Sequence, residues 1–333
     1  MKAGILQQAN EIRIIETSLP LPGFGEVRIK LKQVGICGSD VHMFLGHRSI
    51  GEPTIIGHEG LGFIDSLGEG VENLHVGERV VIEPNIPCQS CTYCRKGKGQ
   101  ICPNKKVIGL NQPGCFAEYV CLAAAFVHKI PHVISDEDAV MIEPLAVAYH
   151  ALRIAEAKAG DSIATLGLGA IGLLITHLAV VFGYRVFVTE KHASKLSIAQ
   201  NMGAQVISSL DPEDIERYWL QEEIVSVFEC AGSSGTASLA TRCAPRGSEI
   251  VLLGLSEELA TFQPLKLTRE GISIKPSLIY EHPTDFQKAI QLLENKVIQP
   301  SQIISGYFPL HRLQEALTLA SQGLETKLII DIQ

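Results

Sequence analysis

The stretch DSIATLGLGAIGLLITHLAVVFG, residues 161–183, contains the signature that decides the fold. The apolar run SIATL precedes three glycines in GxGxxG spacing, Gly167, Gly169 and Gly172, and an apolar helical pattern follows at once. In this strand–turn–helix context the first glycine permits a tight turn. The second lets a pyrophosphate approach the helix N-terminus, and the third lets the helix pack on the strand. The stretch therefore predicts a dinucleotide-binding turn.

The segments after this turn alternate between strand and helix patterns. The stretches typical of strands are RVFVTE, QVISS, VSVFECAG and SEIVLLGL, and those typical of helices are SKLSIAQNMG and GTASLATRCA. A last strand is predicted at SIKPSLIY (273–280). Such alternation predicts a parallel sheet covered on both faces by helices. Residues 145–280 are therefore expected to form a doubly wound, Rossmann-type domain of the α/β class.

The regions on either side of this domain have different patterns. Residues 1–144 contain short β segments, such as EVRIKLKQVGI and GERVVIEPNIPC, separated by Gly and Pro, which predicts a β-rich, barrel-like domain. Residues 281–333 contain two amphipathic helical patterns and the strand KLIIDI. We expect this C-terminal segment to return to the first domain.

Composition limits the possible functions. The chain has 333 residues, of which 46% are hydrophobic and 19% charged, a globular balance. A net charge of −8 argues against nucleic acid as a partner. No apolar run approaches the roughly 20 residues that span a bilayer, so no membrane association is expected. The start MKAGILQQANEIRIIE lacks the features of a secretory signal, which predicts a cytoplasmic protein.

Four of the nine cysteines are close together in CQSCTYCRKGKGQIC, residues 88–102. In a cytosolic chain, such thiols bind metal more readily than they form disulfides. A tetrahedral zinc bound by Cys88, Cys91, Cys94 and Cys102 would have no position left for water or substrate, which is the mark of a structural site. The alternative is a redox-active CxxC pair or a disulfide knot.

The strand after the glycine turn ends in RVFVTE and places Glu190 18 residues beyond Gly172. An acidic residue at this point accepts hydrogen bonds from the adenosine ribose hydroxyls and repels a 2′-phosphate. Lys191 and His192 adjoin it, and cations there are typical of NADP sites. The sequence favours NAD over NADP.

Further zinc ligand types occur in three separate stretches. They are Cys37, Ser39, Asp40 and His42 in GICGSDVH, His58 and Glu59 in GHEGLG, and Glu143 in MIEPLAVAYH. Cysteine, histidine and carboxylate ligands bind zinc, and a site with three of them leaves a fourth position open to substrate. Spacing alone does not join these stretches.

The chain resembles the zinc-dependent medium-chain alcohol dehydrogenase family in the order and spacing of five stretches: GICGSDVH, GHE, the four-cysteine loop, IEPL and GLGAIG. The resemblance covers essentially the whole chain, and ICGSDVH with IEPL is most similar to the branch of polyol (sorbitol-type) and threonine dehydrogenases. It implies a GroES-like barrel catalytic domain beside the Rossmann domain. It also implies Zn²⁺ and NAD as cofactors, an alcohol or polyol substrate, and a homodimer or homotetramer.

The resemblance also implies roles for individual residues. Cys37, His58 and a carboxylate would hold the catalytic zinc, with Glu59 and Glu143 as competing candidates for the third ligand. Ser39 would hydrogen-bond the substrate oxygen and relay its proton, His42 would pass that proton outward, and Asp40 would orient His58. The family's structural zinc lobe is matched here by four cysteines, Cys88, Cys91, Cys94 and Cys102. Expected cofactor contacts are Gly167, Leu168, Gly169, Ala170, Ile171, Gly172, Glu190 and Lys195.

The substrate is less constrained than the reaction class. Polyol members often have an arginine just before the aromatic residue that matches Tyr280, and here that position is Ile279. We therefore expect either a less polar substrate or a role for His47 and Arg48. Phe44, His47, Arg48, Phe116 and Tyr280 lie in stretches that line the family's substrate cleft. The alternatives are an amino-alcohol or hydroxyamino-acid dehydrogenase and a non-catalytic NAD-binding sensor.

Overall fold

Short strands make up most of the N-terminal part of the chain. The computed structural model describes residues 1–49 and 51–332. The strands here are β1 (Lys2–Gln8), β2 (Glu11–Glu16), β3 (Glu26–Gly35), β4 (Thr54–Ile55), β5 (Glu59–Leu67), β6 (Arg79–Ile82), β7 (Asn85–Ile86), β8 (Lys106–Val107), β9 (Tyr119–Ala123) and β10 (Val127–Lys129). The helices are α1 (Gly38–Phe44), α2 (Thr92–Arg95) and α3 (Asp136–Ala139).

The middle of the chain alternates between helix and strand. Its helices are α4 (Ile142–Ile154), α5 (Ala170–Val181), α6 (Ala193–Asn201), α7 (Pro212–Gln221), α8 (Ser234–Cys243) and α9 (Pro264–Glu270). Its strands are β11 (Ser162–Leu166), β12 (Arg185–Thr189), β13 (Gln205–Val206), β14 (Ile224–Glu229), β15 (Glu249–Leu252) and β16 (Ser273–Pro276). The C-terminal part contains α10 (Thr284–Glu294), β17 (Gly306–Pro309), α11 (Leu313–Ser321) and β18 (Leu328–Asp331).

The parallel sheet has the strand order β13-β12-β11-β14-β15-β16. This order reverses between β11 and β14, as in the Rossmann fold, and the glycine turn follows β11 at that point. All neighbouring strands in this sheet are parallel. The predicted doubly wound sheet is confirmed.

A mixed sheet dominates the N-terminal part, with the order β10-β6-β5-β3-β18-β17 and β9 also paired to β3. Along β3 the apolar residues Val27, Ile29 and Leu31 alternate with polar ones and are fully buried, which explains why this stretch forms a strand with one face in the core. The C-terminal β18 pairs antiparallel with the end of β3, Ile330 opposite Val34. This pairing places the end of the C-terminal segment in the same sheet as β3.

The residues group into two compact units. One consists of Met1–Glu143 and Glu281–Gln333, the other of Pro144–Tyr280. We refer to them as the β-rich unit and the dinucleotide unit. No helix among the described residues is both long and apolar enough to cross a membrane.

Three details differ from the sequence-based expectation. QVISS is a strand only at Gln205–Val206, and SIKPSLIY only at Ser273–Pro276. Helix α7 was not predicted at all. Its signals are in the sequence: Asp211 accepts hydrogen bonds from the N–H groups of Glu213 and Asp214, Pro212 occupies the first turn, and Ile215 and Trp219 bury one face.

Candidate active site

Cys37 and His58 are brought together by the Asp40 carboxylate. Cys37 precedes α1, and its N–H donates to Asp40 Oδ2 at 2.9 Å. The other oxygen, Asp40 Oδ1, accepts from the Gly57 N–H at 3.1 Å and lies 3.4 Å from His58 Nδ1. Asp40 is fully buried. One carboxylate thus fixes the start of α1 and the turn before β5, and its charge lies beside the histidine ring.

The electrostatics at His58 follow from this arrangement. Burial alone would lower the pKa of His58, but the Asp40 carboxylate and the Cys37 thiolate outweigh it and raise that pKa well above its ordinary value. The ring is therefore surrounded by negative groups. Such surroundings favour a cation at this point.

Glu59 lies opposite Gly35 in the β3–β5 ladder, and its side chain passes over that glycine. A Cβ at position 35 would lie 2.0 Å from Glu59 Oε2, so only glycine fits. Glu59 Oε2 forms an ion pair with Lys327 Nζ, and both side chains are 1% exposed. Lys327 also donates to the Ile36 carbonyl at 3.0 Å. The C-terminal segment therefore contributes directly to this site.

Cys37, His58 and Glu59 each offer a ligand atom, and these atoms lie within 4.8 Å of one another. Glu143 is buried near them but does not belong to this group of described residues. Burial, together with the negative charge of Glu59, raises the pKa of Glu143 to about 7 against the opposing effect of His58. The donor types and their spacing fit a zinc ion with one position left for substrate.

Ser39 and His42 occupy the first and last turns of α1, directly after Cys37. Ser39 is half-buried and His42 is exposed. The His42 ring lies 5.6 Å from the His47 ring, centroid to centroid. Polar groups thus extend from the ligand cluster toward solvent.

The four-cysteine lobe has the dimensions of a zinc site. Its sulfur–sulfur distances are 3.4 Å for Cys91–Cys94, 3.8 Å for Cys91–Cys102 and 3.9 Å for Cys88–Cys94. Tetrahedral zinc with Zn–S bonds of about 2.3 Å requires roughly 3.8 Å. Bonds from the backbone N–H and hydroxyl of Ser90 lower the pKa of Cys88 to about 6, which favours the thiolate.

The glycine turn has the geometry that a dinucleotide requires. Gly167 has φ +86°, and a Cβ there would lie 2.7 Å from Ala231. A Cβ on Gly172 would lie 2.0 Å from the Gly167 carbonyl, so the helix can pack on the turn only with glycine here. At Gly169, the residue that caps α5, a Cβ would meet no atom within 4 Å. The open backbone at this helix N-terminus fits a pyrophosphate.

Glu190 faces the turn. Its Oε2 accepts from the Leu168 N–H at 2.7 Å, and its Oε1 accepts from the N–H groups of Lys191 and His192 at 2.9 and 3.1 Å. The carboxylate is therefore held at the end of β12 beside the glycines. Lys195 lies on α6 with its side chain 6% exposed.

Two of the residues expected to line a substrate cleft are buried in the β-rich unit. Phe44 is 2% exposed and Phe116 is 0% exposed, and both pack in the apolar core of the β-rich unit. His47 and Arg48 are exposed.

Comparison with known proteins shows the family. Residues 23–132 match the alcohol dehydrogenase GroES-like domain, and residues 170–295 match the zinc-binding dehydrogenase domain. The chain is 32% identical over 330 residues to the starvation-sensing protein RspB of Escherichia coli K12, covering 97% of this chain and 96% of the relative. The chain belongs to the zinc-dependent medium-chain alcohol dehydrogenase family.

Other relatives of this dehydrogenase agree. Sorbitol dehydrogenase of Bacillus subtilis is 29% identical, covering 97% of this chain and 94% of the relative. The crystal structure of an E. coli CFT073 alcohol dehydrogenase (rspB) in complex with NADH superposes with a TM-score of 0.93 at 31% identity. That alignment covers 100% of this chain and 99% of the other. The predicted zinc-dependent dehydrogenase with GroES-like and Rossmann domains is confirmed.

Lys327 was missed by the sequence analysis of this dehydrogenase. It is the first residue of KLIIDI, where a charged residue at the edge of an apolar run is ordinary. Only the pairing of β18 with β3 places it beside Glu59. The sequence contains no local signal that would have identified it.

Proposed function

We propose that this dehydrogenase transfers hydride between a secondary alcohol or polyol and NAD, with zinc at Cys37, His58 and Glu59. The observation that carries the proposal is the set of thiol, imidazole and carboxylate donors, half-buried at Cys37 and buried at His58 and Glu59, which two stretches of the β-rich unit bring together. Zinc bound there supplies a Lewis acid that polarises the substrate oxygen. NAD supplies the hydride acceptor.

Glu59 is the better candidate for the third ligand. One of its carboxylate oxygens belongs to the donor group that lies within 4.8 Å, whereas Glu143 does not belong to that group among the described residues. Lys327 balances the charge of Glu59 and fixes its side chain. Asp40 Oδ1 lies 3.4 Å from His58 Nδ1, on the side of the ring away from Nε2, so Nε2 is the nitrogen that we assign to the metal.

The proton of the alcohol leaves along α1. Ser39 Oγ, two residues after the ligand Cys37, accepts the hydroxyl proton as it gives its own proton to His42. His42, one turn later and exposed, passes it to solvent beside His47. Positioned proton transfer of this kind contributes about 10²–10⁴-fold to a rate.

The choice of NAD over NADP is supported by Glu190. Its carboxylate lies beside the glycine turn, where a ribose hydroxyl can donate to it and a 2′-phosphate cannot. Lys191 is exposed, and its backbone rather than its side chain contacts Glu190.

The likeness to sorbitol dehydrogenases favours a polyol, and Ile279 favours a substrate with fewer hydroxyls near that position. The test is a steady-state screen that measures NADH formation with polyols, simple secondary alcohols and hydroxyamino acids. We expect the highest kcat/KM in the first two groups. Ser39→Ala should lower kcat by about 10²-fold or more, while Ser49→Ala, an exposed serine on the same stretch, should not.

Two results of this screen would contradict the proposal. Preferred turnover of hydroxyamino acids would assign the enzyme to the threonine-like branch. Stoichiometric NAD binding without turnover of any alcohol in the zinc-loaded protein would indicate a sensor.

The assembly that we propose is a homodimer, or a tetramer of dimers, joined at β16. This strand ends the parallel sheet, pairs only with β15 among the described strands, and leaves Ile274 39% exposed. An exposed apolar strand edge is an aggregation hazard unless a partner covers it, and a second copy is the simplest partner.

A further inference from the structure

A third group of ligand atoms lies in the β-rich unit, apart from both zinc sites described above. Glu83 follows β6, His128 lies on β10, and His282 precedes α10. Glu83 Oε2 lies 2.7 Å from His128 Nε2 and 2.8 Å from His282 Nδ1. The three ligand atoms all lie within 4.8 Å of one another.

The Glu83 carboxylate is incompletely satisfied. Its side chain is 0% exposed, and both imidazoles contact the same oxygen, Oε2. The other oxygen, Oε1, has less than 1 Å² of exposed surface and no hydrogen-bond partner among the described residues. A buried carboxylate oxygen without a donor is unfavourable, so the histidines alone leave this group short of a partner.

The imidazole rings are held in place by aromatic contacts. The His282 ring stacks on Phe126 with centroids 4.4 Å apart, and the His128 ring stacks on Phe286 at 4.6 Å. These contacts restrain the plane of each ring beside Glu83. Such orientation is what outer contacts do for the ligands of metal sites.

We propose that Glu83, His128 and His282 bind a divalent transition-metal ion of the zinc class, in a site separate from the catalytic and four-cysteine sites. Two imidazole nitrogens and one carboxylate oxygen form a zinc-type donor set, whereas magnesium and calcium prefer oxygen ligands alone. The His282 side chain is 33% exposed, which gives the ion a path from solvent and a fourth position for water.

The distances require only a small adjustment. In a tetrahedral site with bonds of about 2.0–2.1 Å, the ligand atoms lie roughly 3.4 Å apart. The two nitrogens therefore have to move away from Oε2 by roughly 0.6 Å, a shift that side-chain rotation supplies. The ion then becomes the partner of the carboxylate in place of direct imidazole contacts.

The site joins distant parts of the chain. Glu83 and His282 are 199 positions apart, and Glu83 and His128 are 45 apart. An ion here links the start of the C-terminal segment to β6 and β10. Because it binds only the folded arrangement, it stabilises the β-rich unit.

Metal content of the tag-free, full-length protein tests the proposal. After saturation with Zn²⁺ and gel filtration, wild type should retain one zinc equivalent more than His282→Asn or Glu83→Gln, measured by elemental analysis. His132→Asn, which changes an exposed histidine outside the three ligand groups found among the described residues, should retain the wild-type amount. When zinc has been partly removed from both proteins, added Zn²⁺ should raise the Tm of wild type by a few degrees more than it raises the Tm of His282→Asn.

A spectroscopic measurement on wild type alone does not depend on the folding of any variant. Co²⁺ added to protein whose two cysteine-containing sites are filled with zinc should give ligand-field bands without thiolate charge transfer, because this third site has no sulfur. Equal zinc content in wild type, His282→Asn and Glu83→Gln would overturn the proposal, and so would the absence of such cobalt bands.

Discussion

Glu190 combines two functions in one carboxylate. One oxygen accepts from the Leu168 N–H inside the glycine turn, and the other accepts from two N–H groups that follow β12. The side chain therefore stabilises the turn in addition to facing the expected ribose. Removing it affects both the geometry of the turn and the charge beside it.

The first prediction is that Glu190 sets cofactor choice. Wild type should prefer NAD over NADP roughly a hundredfold in kcat/KM, which corresponds to about 3 kcal/mol. Glu190→Ser should reduce that ratio. Glu190→Gln isolates the effect of the charge, because its amide oxygen can still accept from the Leu168 N–H while the side chain is neutral. Steady-state kinetics with both cofactors decide it: an unchanged ratio in both variants would show that another residue makes the choice.

Lys327 shows how a single residue connects two ends of the chain at the metal site. It is fully buried beside Glu59, and although burial lowers the pKa of a lysine, Glu59 and Cys37 raise it above its usual value. The lysine therefore stays charged. Removing one member of such a pair leaves the other buried and unpaired, which typically costs about 3–5 kcal/mol.

At the scale of elements, the four-cysteine lobe differs from the rest of the protein. Neither α2 nor the 3₁₀ turn Gly99–Ile101 contributes a buried residue. An element without an apolar face has little to hold it in place except its ligands. Metal binding is therefore expected to be the main stabilising interaction of this lobe.

The second prediction separates the two cysteine sites. Cys91→Ser should lose one zinc equivalent and lower the Tm, whereas Cys37→Ser should keep its Tm within a few degrees and lose turnover. Loss of a residue that only hydrogen-bonds to a metal ligand weakens metal binding about 10–100-fold. Loss of a ligand itself should therefore weaken zinc binding by more than that. Elemental analysis, thermal melting and kcat are measured on both variants, with Cys121→Ser as the control. If Cys91→Ser lost activity but kept its Tm, the two roles would be reversed.

At the scale of the whole molecule, the parallel sheet ends at β16 with mostly exposed residues. The prediction is a dimer or tetramer at micromolar concentration, measured by light scattering. Ile274→Lys should shift the assembly toward monomer, because it places a charge in the proposed contact. Leu210→Lys changes another exposed apolar residue away from this edge and should not. A monomeric wild type would rule out the proposed assembly.

Sequence determined the features that depend on neighbouring residues. The GxGxxG turn, the strand–helix alternation and the CxxCxxC spacing each occupy one short stretch, and local geometry together with hydrophobic periodicity makes them readable. The same holds for α7, whose capping residues and buried face were present in the sequence but were not used.

Only the tertiary structure decided which distant residues meet. Cys37 lies on one stretch and the neighbouring residues His58 and Glu59 on another, and the β3–β5 pairing and the Asp40 carboxylate bring the two together. The same is true of two further groups whose members are far apart in the chain and are joined by no local pattern: Glu59 with Lys327, and Glu83 with His128 and His282. Strand pairing and core packing set such contacts, and these depend on the whole fold rather than on any local pattern.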